Sequence, residues 1–70
     1  MDNLTYFLEK AEKIDSDSHL TRYQKDVKLA GLMTDMERMY GIPMFRNKEW
    51  ERDNCNVISI YLKISNMRNL

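Results

Sequence analysis

The chain of 70 residues has few of the residues that build covalent or metal-dependent sites. It contains one cysteine, Cys55, and one histidine, His19. A lone cysteine excludes an intramolecular disulfide, and one cysteine with one histidine does not supply the ligand cluster of a zinc site. The two residues also lack a local nucleophile and base pattern, and two glycines are too few for a glycine-rich phosphate loop. We therefore predict a protein without metal, cofactor or catalytic residues.

An excess of charge of one sign is also missing, because eleven basic side chains balance eleven acidic ones. Most nucleic-acid-binding domains need a positive field to displace counterions from phosphates, so this balance argues against nucleic acid as a partner. No apolar run approaches the roughly 20 residues that span a bilayer. The first residues, MDNLTYFLEK, lack the basic start and apolar stretch of a signal peptide. We expect no membrane association and, with an unpaired thiol, a cytoplasmic location.

What the chain does have is the composition of a small folded domain. Apolar residues make up 43% and charged residues 31%, which is typical of a globular protein and not of a disordered tail. A chain this short buries only about 60% of its unfolded surface, so its single core is marginal. Since neither a disulfide nor a metal adds stability, self-association is the remaining source. We predict one small helical domain over residues 1–70 that forms a homodimer.

Apolar residues recur at helical spacing in three segments, near residues 3–15, 20–40 and 47–67. In the second segment they cover so much of the circumference that the helix must be covered on two sides. The predicted fold class is all-α, with the two long helices packed as an antiparallel hairpin and a short N-terminal helix across it. The wide apolar stripe further predicts a two-fold symmetric homodimer with a four-helix core.

Local signals define the ends of the second helix. Thr21 and Gln24 have the spacing of a capping box, which places the start of the helix near them. Gly41 supplies the left-handed residue that follows a helix end, and Pro43 prevents the helix from continuing. After this turn, Asn47 is the candidate N-cap of the third helix.

Residues 57–64 fit two patterns. Val57, Ile60 and Ile64 follow helical spacing, yet every second residue from Ile58 to Ile64 is apolar, as in a strand. Because no other segment offers a strand to pair with, a solitary strand would leave its backbone groups unpaired, and we favour the helix. A strand exchanged between two protomers is the alternative.

The segment RMYGIPMFRNKEW, residues 38–50, has some features of the turn in a helix-turn-helix DNA-binding motif. Gly41 and Trp50 match the template. The motif requires a small residue at the position of Glu37 and a buried aliphatic residue at the position of Asn47. An unpaired polar group at such a contact between helices destabilises the fold. We favour a plain helix end and connector, and keep DNA binding as the alternative. Its candidate phosphate contacts would be Lys25, Lys28, Arg46, Lys48 and Arg52.

The feature that favours protein interaction is a methionine-rich part of the second helix. Methionine is flexible and polarisable, and it is frequent on surfaces that adapt to partners. Trp50 and Tyr61 are of the types found at the centres of interfaces. We therefore predict a small non-enzymatic interaction or regulatory protein that binds a second copy, or an unidentified protein partner, through a helical surface. The candidate interaction residues are Met33, Met36, Met39, Trp50, Ile60 and Tyr61.

Overall fold

A computed structural model describes residues 3–68 of the chain, and these residues form helices joined by short connections. The helices are α1 (Asn3–Ser16), α2 (Arg22–Tyr40), α3 (Lys48–Asp53) and α4 (Cys55–Met67). The predicted all-α class is confirmed. The predicted count of three helices is not, because the described residues contain four, and α1, with 14 residues, is no shorter than α4, with 13.

The ends of α2 follow the local signals in the sequence. The Thr21 hydroxyl accepts a hydrogen bond from the Gln24 backbone N–H at 3.1 Å, and the Gln24 side chain accepts one from the Thr21 N–H at 2.9 Å. This capping box satisfies two backbone donors at the start of the helix. At the other end, Gly41 lies in the left-handed region, with φ 66° and ψ 39°, and donates to the Glu37 carbonyl at 3.0 Å. A side chain is disfavoured in that conformation, which explains the glycine.

The segment predicted as one helix over residues 47–67 is divided at Asn54. Asn47 caps α3 as expected, and its side chain accepts from the Trp50 N–H at 3.0 Å. Asn54 then leaves the helical region, with φ −127° and ψ 43°, while its side-chain amide and its backbone N–H both donate to the Trp50 carbonyl at 2.9 Å. Asparagine competes in this way for backbone hydrogen bonds and interrupts helices. Residues 57–64 lie within the second of the two helices, so the strand alternative is not what the structure shows.

Helices α1 and α2 are antiparallel neighbours. Near the start of α1, the Phe7 ring meets the ring of Tyr40, the last residue of α2, with centroids 6.4 Å apart in an edge-to-face arrangement. Near the end of α1, the Asp15 carbonyl accepts a hydrogen bond from the Lys25 ammonium, in the first turn of α2, at 2.8 Å. The end of each helix therefore lies beside the start of the other.

Helices α2 and α4 are also antiparallel. The Arg22 guanidinium, at the start of α2, donates to the Met67 carbonyl at the end of α4 at 2.9 Å. Towards the other end, the Tyr61 hydroxyl donates to the Glu37 carboxylate. Thus α1 and α4 both run antiparallel to α2, and they also pack against each other.

The core sits along α2. Four of its residues are buried, and α1 and α4 contribute the rest, with no buried polar or charged residue among those described. The buried side chains are Phe7, Ala11, Leu29, Leu32, Met33, Met36, Val57 and Ile64. Helices α1 and α4 of the same chain cover the middle of the wide apolar stripe of α2, whereas Tyr23, Val27 and Met39 stay exposed. The buried part of the stripe therefore does not require a second molecule. Within residues 3–68, no helix has the length and apolar character needed to span a membrane.

Candidate interaction surface

The three methionines predicted as interaction residues do not share one surface. Met36 is fully buried and Met33 is 9% exposed, with its sulfur accepting a hydrogen bond from the Arg68 guanidinium at 3.7 Å. Only Met39 is largely exposed, at 55%. It borders an open groove beside Tyr6. The methionine-rich part of α2 thus contributes mainly to the core.

Trp50, Ile60 and Tyr61 are half-buried and pack against the core. Tyr61 also has a polar partner, because its hydroxyl donates to Glu37 Oε2 at 2.5 Å. Partial burial of the phenol, with the hydrogen bond and the negative charge of Glu37 as further causes, raises the pKa of Tyr61 to about 12. The first role of Trp50, Ile60 and Tyr61 is therefore to join α3 and α4 to the rest of the molecule.

The most exposed large apolar side chains lie in the connector between α2 and α3, residues 41–47. Met44 is 91% exposed and Phe45 is 81% exposed. The left-handed Gly41 and the following Pro43 end α2. Ile42 between them packs against the core, whereas Met44 and Phe45 are not covered. Full burial of a Met or Phe side chain is worth about 1.5–3 kcal/mol. This stabilisation is not realised within the single chain.

Two residues of α4 extend this apolar area. Ile58 and Leu62 are one helical turn apart, are half-buried, and lie outside the set of residues that pack on the core. Together with Met44 and Phe45 they line a small groove of about 80 Å³ between the connector and α4. We call Met44, Phe45, Ile58 and Leu62 the connector surface.

A closed ion pair borders the connector surface. Arg46 donates two hydrogen bonds to the Glu51 carboxylate, at 2.6 Å from Nε and 2.8 Å from Nη2. These hydrogen bonds hold the pKa of Glu51 below its usual value and raise that of Arg46. Since the two charges neutralise each other, the edge of the connector surface presents little net charge.

The basic residues considered for DNA contact are mostly engaged within the chain. Lys25 donates to the Asp15 carbonyl, Arg46 is bound to Glu51, and Arg52 lies 3.8 Å from the adjacent Asp53. Lys28 and Lys48 complete the set, one on α2 and one at the start of α3.

The geometry around the turn differs from a helix-turn-helix motif as well. Residues 41–47 join α2 to α3, whereas the motif uses a turn of about 3–4 residues. In addition, α3 has six residues and carries Glu49 and Glu51 in its first turn. A short helix that begins acidic is poorly suited to enter a groove lined by phosphates.

Helical periodicity did not identify the connector surface. Met44 and Phe45 lie between two helices, where helical periodicity gives no information, and Ile58 and Leu62 also fit the alternating strand pattern of residues 57–64. The signal that would have found them is the segment IPMF itself, residues 42–45, because two large apolar side chains directly after a helix stop are unusual in a solvated turn.

Residues 3–68 contain no group of three or more His, Cys, Asp or Glu side chains placed to hold a metal ion. Comparison with known proteins gives no match to this chain among protein families, curated sequences or solved structures.

Proposed function

We propose that this protein is a small interaction protein without catalytic activity, and that it pairs with a second copy of itself through the connector surface. The observation that carries the proposal is the exposure of Met44 and Phe45, next to Ile58 and Leu62 that the core leaves half covered. Adjacent exposed apolar side chains that no part of the fold covers are typical of a binding surface.

The charge distribution favours a second copy as the partner. The chain has no net charge, so two copies do not repel one another. The bordering charges of Arg46 and Glu51 are already paired at close range. A two-fold interface brings the same patch together from both sides, which is favourable for an apolar patch with a neutral edge.

Pairing would also supplement a small core. The described residues include eight buried apolar side chains, and three of these are both large and fully buried. In a symmetric arrangement, Phe45 of each copy would cover Ile58 and Leu62 of the other, so each contact would form twice. Met39, which lies outside this surface, and Trp50, which lines the same groove and packs against the core, would keep their present roles.

Sedimentation equilibrium over a concentration series tests the proposal. We expect the wild-type chain to approach twice its mass of 8.4 kDa at tens of micromolar, and the double variant Met44→Ser, Phe45→Ser to remain at one chain. Neither side chain is buried, so the double variant should keep its helical content. The matched control is Tyr23→Ser with Val27→Ser, which removes two exposed side chains from α2, far from the connector in sequence.

A wild-type mass of one chain across the series would refute pairing. Equal weakening by the control would show that general surface hydrophobicity, and not the connector surface, drives association.

A further inference from the structure

A groove separate from the connector surface lies between α1, the loop after it and α2. Its volume is about 390 Å³, within the range of about 300–1,000 Å³ that is typical of ligand sites. We call it the lysine groove. It is lined chiefly by Tyr6, Lys10, Lys13, Ile14, Leu20 and Lys28.

The lining residues of α1 share one helical face. Tyr6, Lys10, Lys13 and Ile14 follow the spacing that stacks side chains along a helix. With Asp17 just beyond the end of α1, this side of the groove runs for about 16 Å at a rise of 1.5 Å per residue. That length matches about five residues of extended peptide at 3.3 Å each.

Positive charge is concentrated in the groove although the whole chain is neutral. Within residues 3–68, the side-chain ammonium groups of Lys13 and Lys28 have neither a hydrogen bond nor an ion pair. Lys10 is held over the Tyr6 ring, with its ammonium 5.6 Å from the centroid and 3.4 Å from the hydroxyl. Three ammonium groups therefore face one groove.

Two carboxylates, of Glu9 and Asp17, also line the groove. Asp17 is already engaged, because its Oδ1 accepts the His19 backbone N–H at 2.9 Å and lies 3.5 Å from His19 Nδ1. The three lysines therefore outnumber the two carboxylates, and the groove has a small net positive charge. It suits a ligand with separated carboxylates better than a polyphosphate chain, which Glu9 and Asp17 would repel.

Half-buried apolar side chains accompany the lysines. Ile14 and Leu20 line the groove, and Tyr6 adds a ring that is 47% exposed. A ligand that carries charge alone would leave the exposed parts of these side chains in contact with water. The combination therefore favours alternating acidic and apolar groups, which a peptide supplies and a simple anion does not.

We propose that the lysine groove binds an acidic peptide segment of a partner protein, about five residues long. Its carboxylates contact the ammonium groups of Lys13 and Lys28, and an apolar side chain between them contacts Ile14 and Leu20. The proposal does not depend on pairing at the connector surface, because it uses other residues.

Fluorescence anisotropy tests the proposal with a labelled five-residue peptide of alternating aspartate and leucine. We expect saturable binding to the wild-type chain that weakens as salt is added, since exposed charge pairs are screened. The double variant Lys13→Gln, Lys28→Gln should bind about tenfold more weakly, as expected for the loss of two exposed charge pairs.

The matched control is Lys48→Gln with Lys63→Gln, which makes the same change in net charge at two exposed lysines outside the groove. It should bind like the wild type, and circular dichroism should show equal helix content in all three proteins. Two further peptides separate the contributions, one with asparagine in place of aspartate and one with serine in place of leucine. Both should bind more weakly than the parent.

Absence of peptide binding to the wild type would overturn the proposal. So would equal weakening by the control pair, or unchanged binding of the asparagine peptide. Displacement of the peptide by inorganic phosphate at equal concentration would mean a simple anion site, and stronger binding to vesicles rich in phosphatidylserine would mean a membrane surface. Either result would replace the proposal.

Discussion

Arg22 Nη2 donates a hydrogen bond to the Met67 carbonyl at 2.9 Å, joining two residues 45 positions apart. The same guanidinium contacts Asp26 Oδ1 at 3.1 Å and lies 3.9 Å from the Asp15 carboxylate. One side chain therefore connects the end of α1, the start of α2 and the end of α4. It also satisfies a carbonyl in the last turn of α4, one of the terminal carbonyls that an α-helix leaves without a partner inside the helix.

Arg22→Ala should lower the free energy of unfolding by about 1 kcal/mol. A hydrogen bond to a charged group is worth up to about 3 kcal/mol, but the Arg22 side chain is 41% exposed, and solvent weakens its ion pairs. Urea denaturation measures the change. Arg38→Ala is the control, because the side chain of this exposed residue of α2 has no hydrogen bond or ion pair within residues 3–68. Equal loss in both variants would show that the contacts of Arg22 add nothing to helix packing.

Stability at high pH should depend on Tyr61. Partial burial and the hydrogen bond to Glu37 raise its pKa from 10.0 to about 12 in the folded chain, so the neutral phenol stabilises the fold. That contribution is complete below pH 10 and is lost as the pH rises towards 12, because the unfolded chain loses its proton first. Comparing Tyr61→Phe with the wild type by denaturation between these pH values should show a smaller decline in the variant.

Tyr23→Phe is the control for this pH dependence, since Tyr23 is 76% exposed. It should decline with pH as the wild type does. If Tyr61→Phe also follows the wild-type curve, burial and the contact with Glu37 do not keep the Tyr61 phenol neutral.

The Glu51 carboxyl should titrate below its usual range, and Arg46→Gln should return its pKa towards the usual value. The two hydrogen bonds from Arg46 are the main cause of the lowered pKa. Carboxyl chemical shifts in a pH titration by NMR measure it directly. Because the folded pKa is lowered, any associated stability is present above the unfolded pKa and disappears as the pH falls through the folded one.

Arg52→Gln serves as the comparison for this titration, because Arg52 is paired with Asp53 and not with Glu51. A Glu51 pKa that stays the same in Arg46→Gln would show that the ion pair is open in solution.

Ile64→Ala should be strongly destabilising, by about 2–5 kcal/mol, because the side chain is fully buried and its removal leaves a cavity. Ile60→Ala, one turn earlier on α4, removes the same atoms from a half-buried position and should cost less. Thermal or urea unfolding of the two variants gives the comparison. A larger loss for Ile60→Ala would mean that Ile60, and not Ile64, lies in the more closely packed part of the core.

Much of the helical architecture was predictable from short-range patterns. The capping box of Thr21 and Gln24 and the N-cap Asn47 form as expected, and Gly41 adopts the left-handed conformation. The helical spacing of Val57 and Ile64 likewise corresponds to their burial in α4. These features depend on atoms a few residues apart, so the local sequence contains most of the information.

The division at Asn54 was harder to foresee, because an asparagine inside an apolar periodic segment is compatible with a continuous helix. The candidate sites were less predictable still. Met33 and Met39 have the same side chain on the same helix, yet one is in the core and the other is 55% exposed. Nothing in their local sequence distinguishes them.

Local sequence is enough to specify an all-helical chain and the ends of α2, since capping hydrogen bonds, a left-handed glycine and helical periodicity act over one or two turns. Which apolar side chains are covered depends on how the helices pack. This packing places Met36 beneath α1 and α4, leaves Met44 and Phe45 outside, and brings Lys28 of α2 to the lysines of α1. Burial and charge clustering are properties of residues far apart in the chain, so only the packing of the helices sets them.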